Sequence, residues 1–194
     1  MSKSYYSLGL MSGTSGDGVD ASIIRSDGSS KYEVILDKYY KYTDEIYKEY
    51  TLLKSGINNE SDYEKYFSLW ENSLLILEAK ITLFHIDLVN EIIKNSKINI
   101  DLIGFHGQTI WHKPEFGSSR QLGNGKLLSK STKKNVIYDF RANDLKNRGQ
   151  GAPLAPIFHK LLVEQNKLDL PVTILNIGGI SNITSINKSK EMIS

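Results

Sequence analysis

Ten residues near the start of the chain, MSGTSGDGVD from Met11 to Asp20, carry its densest chemistry. Gly13, Gly16 and Gly18 permit positive φ and close approach of a ligand to the backbone. Successive N–H groups in such a turn converge on anionic oxygens, and the hydroxyls of Ser12, Thr14 and Ser15 add donors. Asp17 and Asp20 would repel a phosphate directly. A carboxylate here therefore implies magnesium held largely through water, with Asp17 the candidate metal residue. The segment reads as a nucleotide phosphate loop made by Gly13, Thr14, Ser15, Gly16, Asp17, Gly18, Val19 and Asp20. A plain hairpin turn in which Asp and Gly serve geometry alone is the competing reading. The length of the loop and its hydroxyl density favour the phosphate.

Three further segments hold convergent polar groups. HGQTIWHKP offers His106, Gln108 and His112 as donors, and Trp111 as an apolar face for a sugar. It follows a buried strand, where the sites of α/β proteins usually lie. DFRANDLKNRGQGAPLAP gathers Asp139, Arg141, Asp144 and Arg148. Arg141 there either clamps an anionic group bidentately or joins an Asp–Arg network that holds the loop. Which of Asp139 and Asp144 touches a ligand stays open. Gly149, Gly151, Pro153 and Pro156 look like a hinge that closure around a ligand would need. NIGGIS, Asn176 to Ser181, places Gly178 and Gly179 in a second phosphate turn facing the first.

These loops need elements to hold them. Tyr5–Leu10, Val19–Ile24 and Tyr32–Tyr40 read as three strands rich in β-branched and aromatic residues. Helical patterning starts near Thr43, with Gly56 as a C-terminal cap. Ser61 and Glu64 have capping-box spacing. Beyond them, apolar residues from Tyr63 to Ile92 recur every three or four positions, a long amphipathic helix whose aromatics pack the core. Ile100–Phe105 is a short buried strand ending at the HGQTIWHKP loop, Leu127–Thr132 a helix and Asn135–Phe140 a strand. The β-β-β-α-β-α-β order is that of the ribonuclease H-like fold. Pro156–Gln165 then reads as a helix, Val172–Asn176 and Asn182–Ile186 as strands around a glycine turn, and Asn187–Ser194 as a frayed tail. The later strand–glycine turn–strand repeats the opening topology, which suggests duplicated units. The expected division is residues 1–150 and residues 151–194.

The 194 residues are 40% hydrophobic and 24% charged, which fits a soluble globular chain, and the net charge of +2 argues against a nucleic-acid binder. Lys126, Lys130, Lys133 and Lys134 read as a solvated helix face. The chain has no cysteine, so disulfides and thiolate metal sites are excluded and a cytoplasmic location fits. Leu74–Leu88 is interrupted by Glu78, Lys80, His85 and Asp87, so no membrane segment is expected. A two-metal nuclease is disfavoured, because such enzymes place an Asp in the first strand and Tyr5–Leu10 has none.

Taken together, MSGTSGDGVD, GFHGQTIWHKP, QLGNG, DFRANDLKNRGQGAPLAP and LNIGGISN resemble the anhydro-N-acetylmuramic acid kinase family of the actin/hexokinase-like ATPase superfamily. The resemblance implies two ribonuclease H-like domains around a cleft that binds ATP and Mg2+. It implies hydrolytic opening of 1,6-anhydro-N-acetylmuramic acid with phosphorylation of O6, giving N-acetylmuramic acid 6-phosphate in peptidoglycan recycling. It maps the ATP loop onto Gly13–Asp20, and the sugar site around His106, Gln108, Asp139, Arg141 and Asp144. The family is longer, and its general base lies in an Asp-[Thr/Cys]-Gly-Pro-Gly-Asn motif that would fall beyond Ser194. No catalytic base is therefore expected within these residues. The expected partner is a small anhydro amino sugar, with either a homodimer or a separately encoded C-terminal half, and neither nucleic acid nor membrane. Two departures from the family stand out. Gly16 replaces a usual Leu, which should loosen the loop, and Arg148 replaces a usual glycine, which should stiffen the hinge.

Overall fold

The computed structural model describes residues 3–59, 63–178 and 180–193. Strands β1 (Tyr5–Ser12), β2 (Gly18–Ser26) and β3 (Tyr32–Lys41) form an antiparallel meander. Helices α1 (Asp44–Asn59) and α2 (Tyr63–Ser96) follow, then β4 (Leu102–Lys113), β5 (Ser118–Leu122), α3 (Gly125–Thr132), β6 (Asn135–Tyr138) and α4 (Phe140–Lys146). β4 lies parallel to β1 on one edge. On its other edge it pairs with β6 along its first half and with β5 along its second. This mixed α/β sheet, β3-β2-β1-β4 with β6 beyond, is compatible with a ribonuclease H-like fold. Helix α5 (Pro156–Asn166) leads to a separate antiparallel sheet of β7 (Val172–Asn176), β8 (Asn182–Ile186) and β9 (Met192–Ile193).

Alternation builds the first core. Leu8 and Leu10 of β1, and Val19, Ala21 and Ile23 of β2, face inward. α1 meets them with Ile46, Tyr50, Leu53 and Ile57, and α2 with Leu74, Leu77, Ile81, His85, Leu88 and Ile92. Those steps of three and four put one helical stripe on the sheet.

Several expectations fail for physical reasons. Gly56 does not cap α1, which runs on to Asn59. Its missing side chain makes room instead for α2, since a Cβ there would lie 2.7 Å from the Tyr66 hydroxyl. The expected Ser61–Glu64 capping box lies outside the residues whose side chains are described. The HGQTIWHKP segment is not a loop: β4 continues through it to Lys113, and Gly107 to Trp111 are all buried. β5 is an additional strand, so the β-β-β-α-β-α-β order gains a hairpin as well as a split helix. Asn135–Phe140 shortens to β6, and DFRAND turns into α4, entered through Asp139 at φ 59°. The tail expected to fray pairs through Met192 and Ile193 with β8. Among the described residues, no helix is long and apolar enough to cross a membrane.

Candidate functional site

The loop between β1 and β2 turns on one residue. Gly16 has φ +68° and donates its N–H to the Gly13 carbonyl at 3.2 Å. Neither Gly13 nor Gly18 takes the positive φ expected of them. Gly18 is needed for close packing, because a Cβ would lie 2.4 Å from the Tyr40 carbonyl. At Gly13 a Cβ would meet only the Ser15 hydroxyl, at 3.5 Å, so that approach is open. Thr14, Ser15, Asp17 and Asp20 are exposed, whereas the Val19 side chain lies in the core and leaves only its backbone to a ligand.

The loop is not loosened by Gly16, contrary to expectation. Tyr50 of α1 fills the space, and its ring would sit 2.1 Å from a Cβ at that position. Its hydroxyl lies 3.1 Å from the Thr14 carbonyl and 3.0 Å from the Thr109 carbonyl. Gln108 donates Nε2 to the Gly13 carbonyl at 2.7 Å. The hydroxyls of Ser12 and Tyr42 meet at 3.0 Å, and the Tyr42 N–H donates to the Asp17 carbonyl at 2.9 Å. A bulge aims Gln108: between the pairs Leu10–Phe105 and Ser12–Gln108, β1 spends one residue and β4 two. Gly107, at φ +72°, absorbs the extra residue.

Asp17 accepts the Ser15 hydroxyl, a hydrogen bond that holds its carboxyl below the usual range, with the Tyr39 hydroxyl helping. Asp20 is pushed up, first by desolvation and then by Asp37 and Asp17. A ligand with positive charge would relieve that repulsion. Among the described residues no group of three or more His, Cys, Asp or Glu side chains is arranged for a metal. Magnesium on a nucleotide needs only one or two carboxylates beside phosphate and water, so Asp17 in its ionised state fits the ion.

On the other side of β4, a pocket of about 290 Å³ is lined by Phe105, His106, Ser119, Arg120, Gln121, Gly123, Tyr138 and Asp139. His106 is held neutral. Burial, then the Arg141 charge, lower its pKa to about 4. Its Nδ1 lies 2.7 Å from the Gly107 carbonyl, to which it donates, and Nε2 accepts from Arg141 at 2.9 and 3.2 Å. Arg141 also donates to the Gly151 carbonyl at 2.6 Å, and the Asp144 carboxylate accepts the Gly151 N–H at 2.6 Å. Of the two alternatives for Arg141, the Asp–Arg network is replaced by two separate ties on Gly151. Asp144 is occupied with the 149–151 bend, and Asp139 is exposed at the pocket wall.

Trp111 does not offer its face to a sugar. It is buried edge-on against Phe67. His112 is turned to the Ser119 hydroxyl at 3.0 Å, and burial lowers its pKa. Gly178 sits in the exposed turn between β7 and β8, and Gly179 lies outside the described residues. Sequence reasoning missed Arg120 and Gln121, which β5 brings to the pocket, and Tyr50. Arg120 is tied bidentately to Glu71 at 3.0 and 3.2 Å. The signal for Tyr50 was Gly16 itself, since a missing side chain in a buried turn needs a filler.

Comparison with known proteins identifies the family. The family described as anhydro-N-acetylmuramic acid kinase matches residues 5–194. An anhydro-N-acetylmuramic acid kinase of Pelagibacter ubique is 57% identical over 98% of this chain and 50% of its own length. Those of Rhodopseudomonas palustris and Brucella canis are 34% and 37% identical, each over 96% of this chain and 51% and 50% of their own lengths. The chain spans about half the length of these curated relatives, and it belongs to the anhydro-N-acetylmuramic acid kinase family.

Proposed function

We propose that these residues supply the phosphate loop and one sugar-facing wall of an ATP-dependent kinase of 1,6-anhydro-N-acetylmuramic acid. The reaction opens the anhydro bridge with water and phosphorylates O6, giving N-acetylmuramic acid 6-phosphate for peptidoglycan recycling. The observation that carries the reading is the Gly13–Gly16 turn, with the carbonyls of Gly13 and Thr14 drawn inward by Gln108 and Tyr50. In a trans peptide the C=O and N–H point oppositely. The Thr14 and Ser15 N–H groups are therefore turned outward, toward the exposed side where a phosphate would approach.

Magnesium ATP, when bound, supplies the phosphoryl group, and Asp17 would hold the ion through water. His106 fixes Arg141 beside the pocket, where the guanidinium would orient an anionic substrate group. Residues 1–150 form the unit that carries both sites, and residues 151–194 begin a second ribonuclease H-like unit, with Gly149–Pro156 as the hinge. The general base that the family resemblance implies would lie outside these residues. Positioning and charge stabilisation dominate phosphoryl transfer, so one wall of the cleft is insufficient for turnover.

A second reading is a half that is inactive until a separate C-terminal part covers it, and the open face of the β7–β9 sheet favours it. Equilibrium titration with magnesium ATP tests the nucleotide claim. Weak, saturable uptake that requires magnesium and falls about tenfold (roughly 1.4 kcal/mol) in Asp17→Asn supports it. Absence of uptake, or uptake indifferent to magnesium, overturns it.

A further inference from the structure

The Tyr50 hydroxyl lies between two carbonyls, one in the candidate phosphate loop and one at Thr109, a buried residue whose hydroxyl accepts from the pocket residue Gln121 at 3.2 Å. One is Thr14 of the phosphate loop and the other is Thr109 of β4, 95 positions apart in the chain but joined through one side chain. The Gln108 carboxamide lies beside the same hydroxyl and holds the Gly13 carbonyl. A hydroxyl carries one hydrogen, so it donates fully to only one of the two carbonyls at a time. The ring is wedged against Gly16, where any Cβ would collide with it, so the hydroxyl cannot swing away from this position while the loop is closed.

We infer that Tyr50 is a positioning residue that couples the phosphate loop to the Gln108–Thr109 segment, so that a phosphate on the loop and a ligand against β4 strengthen each other's binding. The inference rests on the reading of Gly13–Gly16 as a phosphate loop. A phosphate accepting the Ser15 N–H polarises the Thr14–Ser15 peptide and makes the Thr14 carbonyl a stronger acceptor. The hydroxyl hydrogen then favours Thr14 and frees Thr109, whose own hydroxyl holds Gln121 at the pocket wall, to adjust when a sugar fills that pocket. By linkage, a ligand that draws on the Thr109 peptide biases the same hydrogen, and the effect is reciprocal. Gly16 is what admits this device, because a Leu there could not coexist with the Tyr50 ring.

Tyr50→Phe keeps the ring and removes the hydroxyl, so it should fold. Tyr66→Phe is the control, since it loses a buried hydrogen bond to the Leu53 carbonyl, 2.6 Å long, away from the loop. Two readouts are needed: amide exchange at Gly16, whose N–H closes the turn, and the dissociation constant for magnesium ATP with and without 1,6-anhydro-N-acetylmuramic acid. The expected result for Tyr50→Phe is faster Gly16 exchange and nucleotide affinity weaker by about fivefold. The gain in ATP affinity brought by the sugar should also disappear. Tyr66→Phe should lower the melting temperature and leave all three unchanged. If wild type takes up ATP but Tyr50→Phe matches it in Gly16 exchange and affinity, the coupling role is overturned while the phosphate loop stands. If wild type takes up no magnesium ATP, the phosphate reading falls and the coupling with it.

Discussion

In the first sheet, Leu8, Leu10, Val19, Ile23 and Phe105 are sealed beneath α1 and α2. In the second, alternation puts Thr184 and Ile186 of β8 under α5, where His159 reaches the Thr184 hydroxyl at 2.8 Å. The other face is bare: Leu175, Ile177, Ile183 and Ile193 are 57%, 77%, 51% and 72% exposed. A sheet is stable when its apolar face is buried against another layer. The first sheet thus has its apolar face buried in a core, whereas the second leaves apolar side chains exposed. The relatives are about twice as long as the matched stretch.

Core truncation should expose the contrast most strongly. Phe105, 1% exposed, packs edge-on to His85 at 4.9 Å between ring centroids. Phe105→Ala should cost about 3–5 kcal/mol in urea unfolding. Ile177→Ala should change stability by less than about 0.5 kcal/mol while reducing self-association, read by light scattering. Equal costs at the two sites would erase the distinction between a closed core and an open sheet.

Acid should act on the first unit next. His85 is fully buried, with Nδ1 2.8 Å from the Ile81 carbonyl, and desolvation lowers its pKa to about 4. His106 is lowered likewise, by burial and Arg141. An unfolded histidine titrates near 6.5, so between that value and about 4 the unfolded chain binds more protons than the folded one. Stability is therefore full above about pH 6.5 and is lost as pH falls toward 4, by about 2 kcal/mol between pH 7 and 5 for His85 alone. A urea midpoint that stays level across that interval would contradict this.

The strands and most helices were legible because their patterns are local: alternation in β1 and β2, steps of three and four in α2. The β4 extension was not, because its polar side chains satisfy partners far away in sequence. The Gln108 amide nitrogen can be buried because it donates to the Gly13 carbonyl, 95 positions earlier. A local window sees HGQT and infers solvent. Much of the site was legible as residues but not as roles. His106, Arg141 and Asp139 do gather near one pocket, yet Asp144 turned out to tie a bend and Trp111 to pack the core.

The smallest effect concerns the bend that follows α4. Arg148 takes φ 65°, the left-handed region that favours glycine, with its N–H on the Leu145 carbonyl at 3.0 Å. Arg148→Gly should raise stability by about 0.5–1 kcal/mol, by relieving a strained L-residue at some cost in unfolded-state entropy. A loss of stability would mean that the arginine side chain holds the bend.

ADP release tests most directly the proposal that these residues supply one wall of a kinase cleft and that catalysis needs the other. The 194-residue polypeptide, mixed with magnesium ATP and 1,6-anhydro-N-acetylmuramic acid, should release no ADP above background. Adding the C-terminal half of the Pelagibacter ubique relative should restore release together with N-acetylmuramic acid 6-phosphate. Steady turnover by the 194 residues alone would contradict the account.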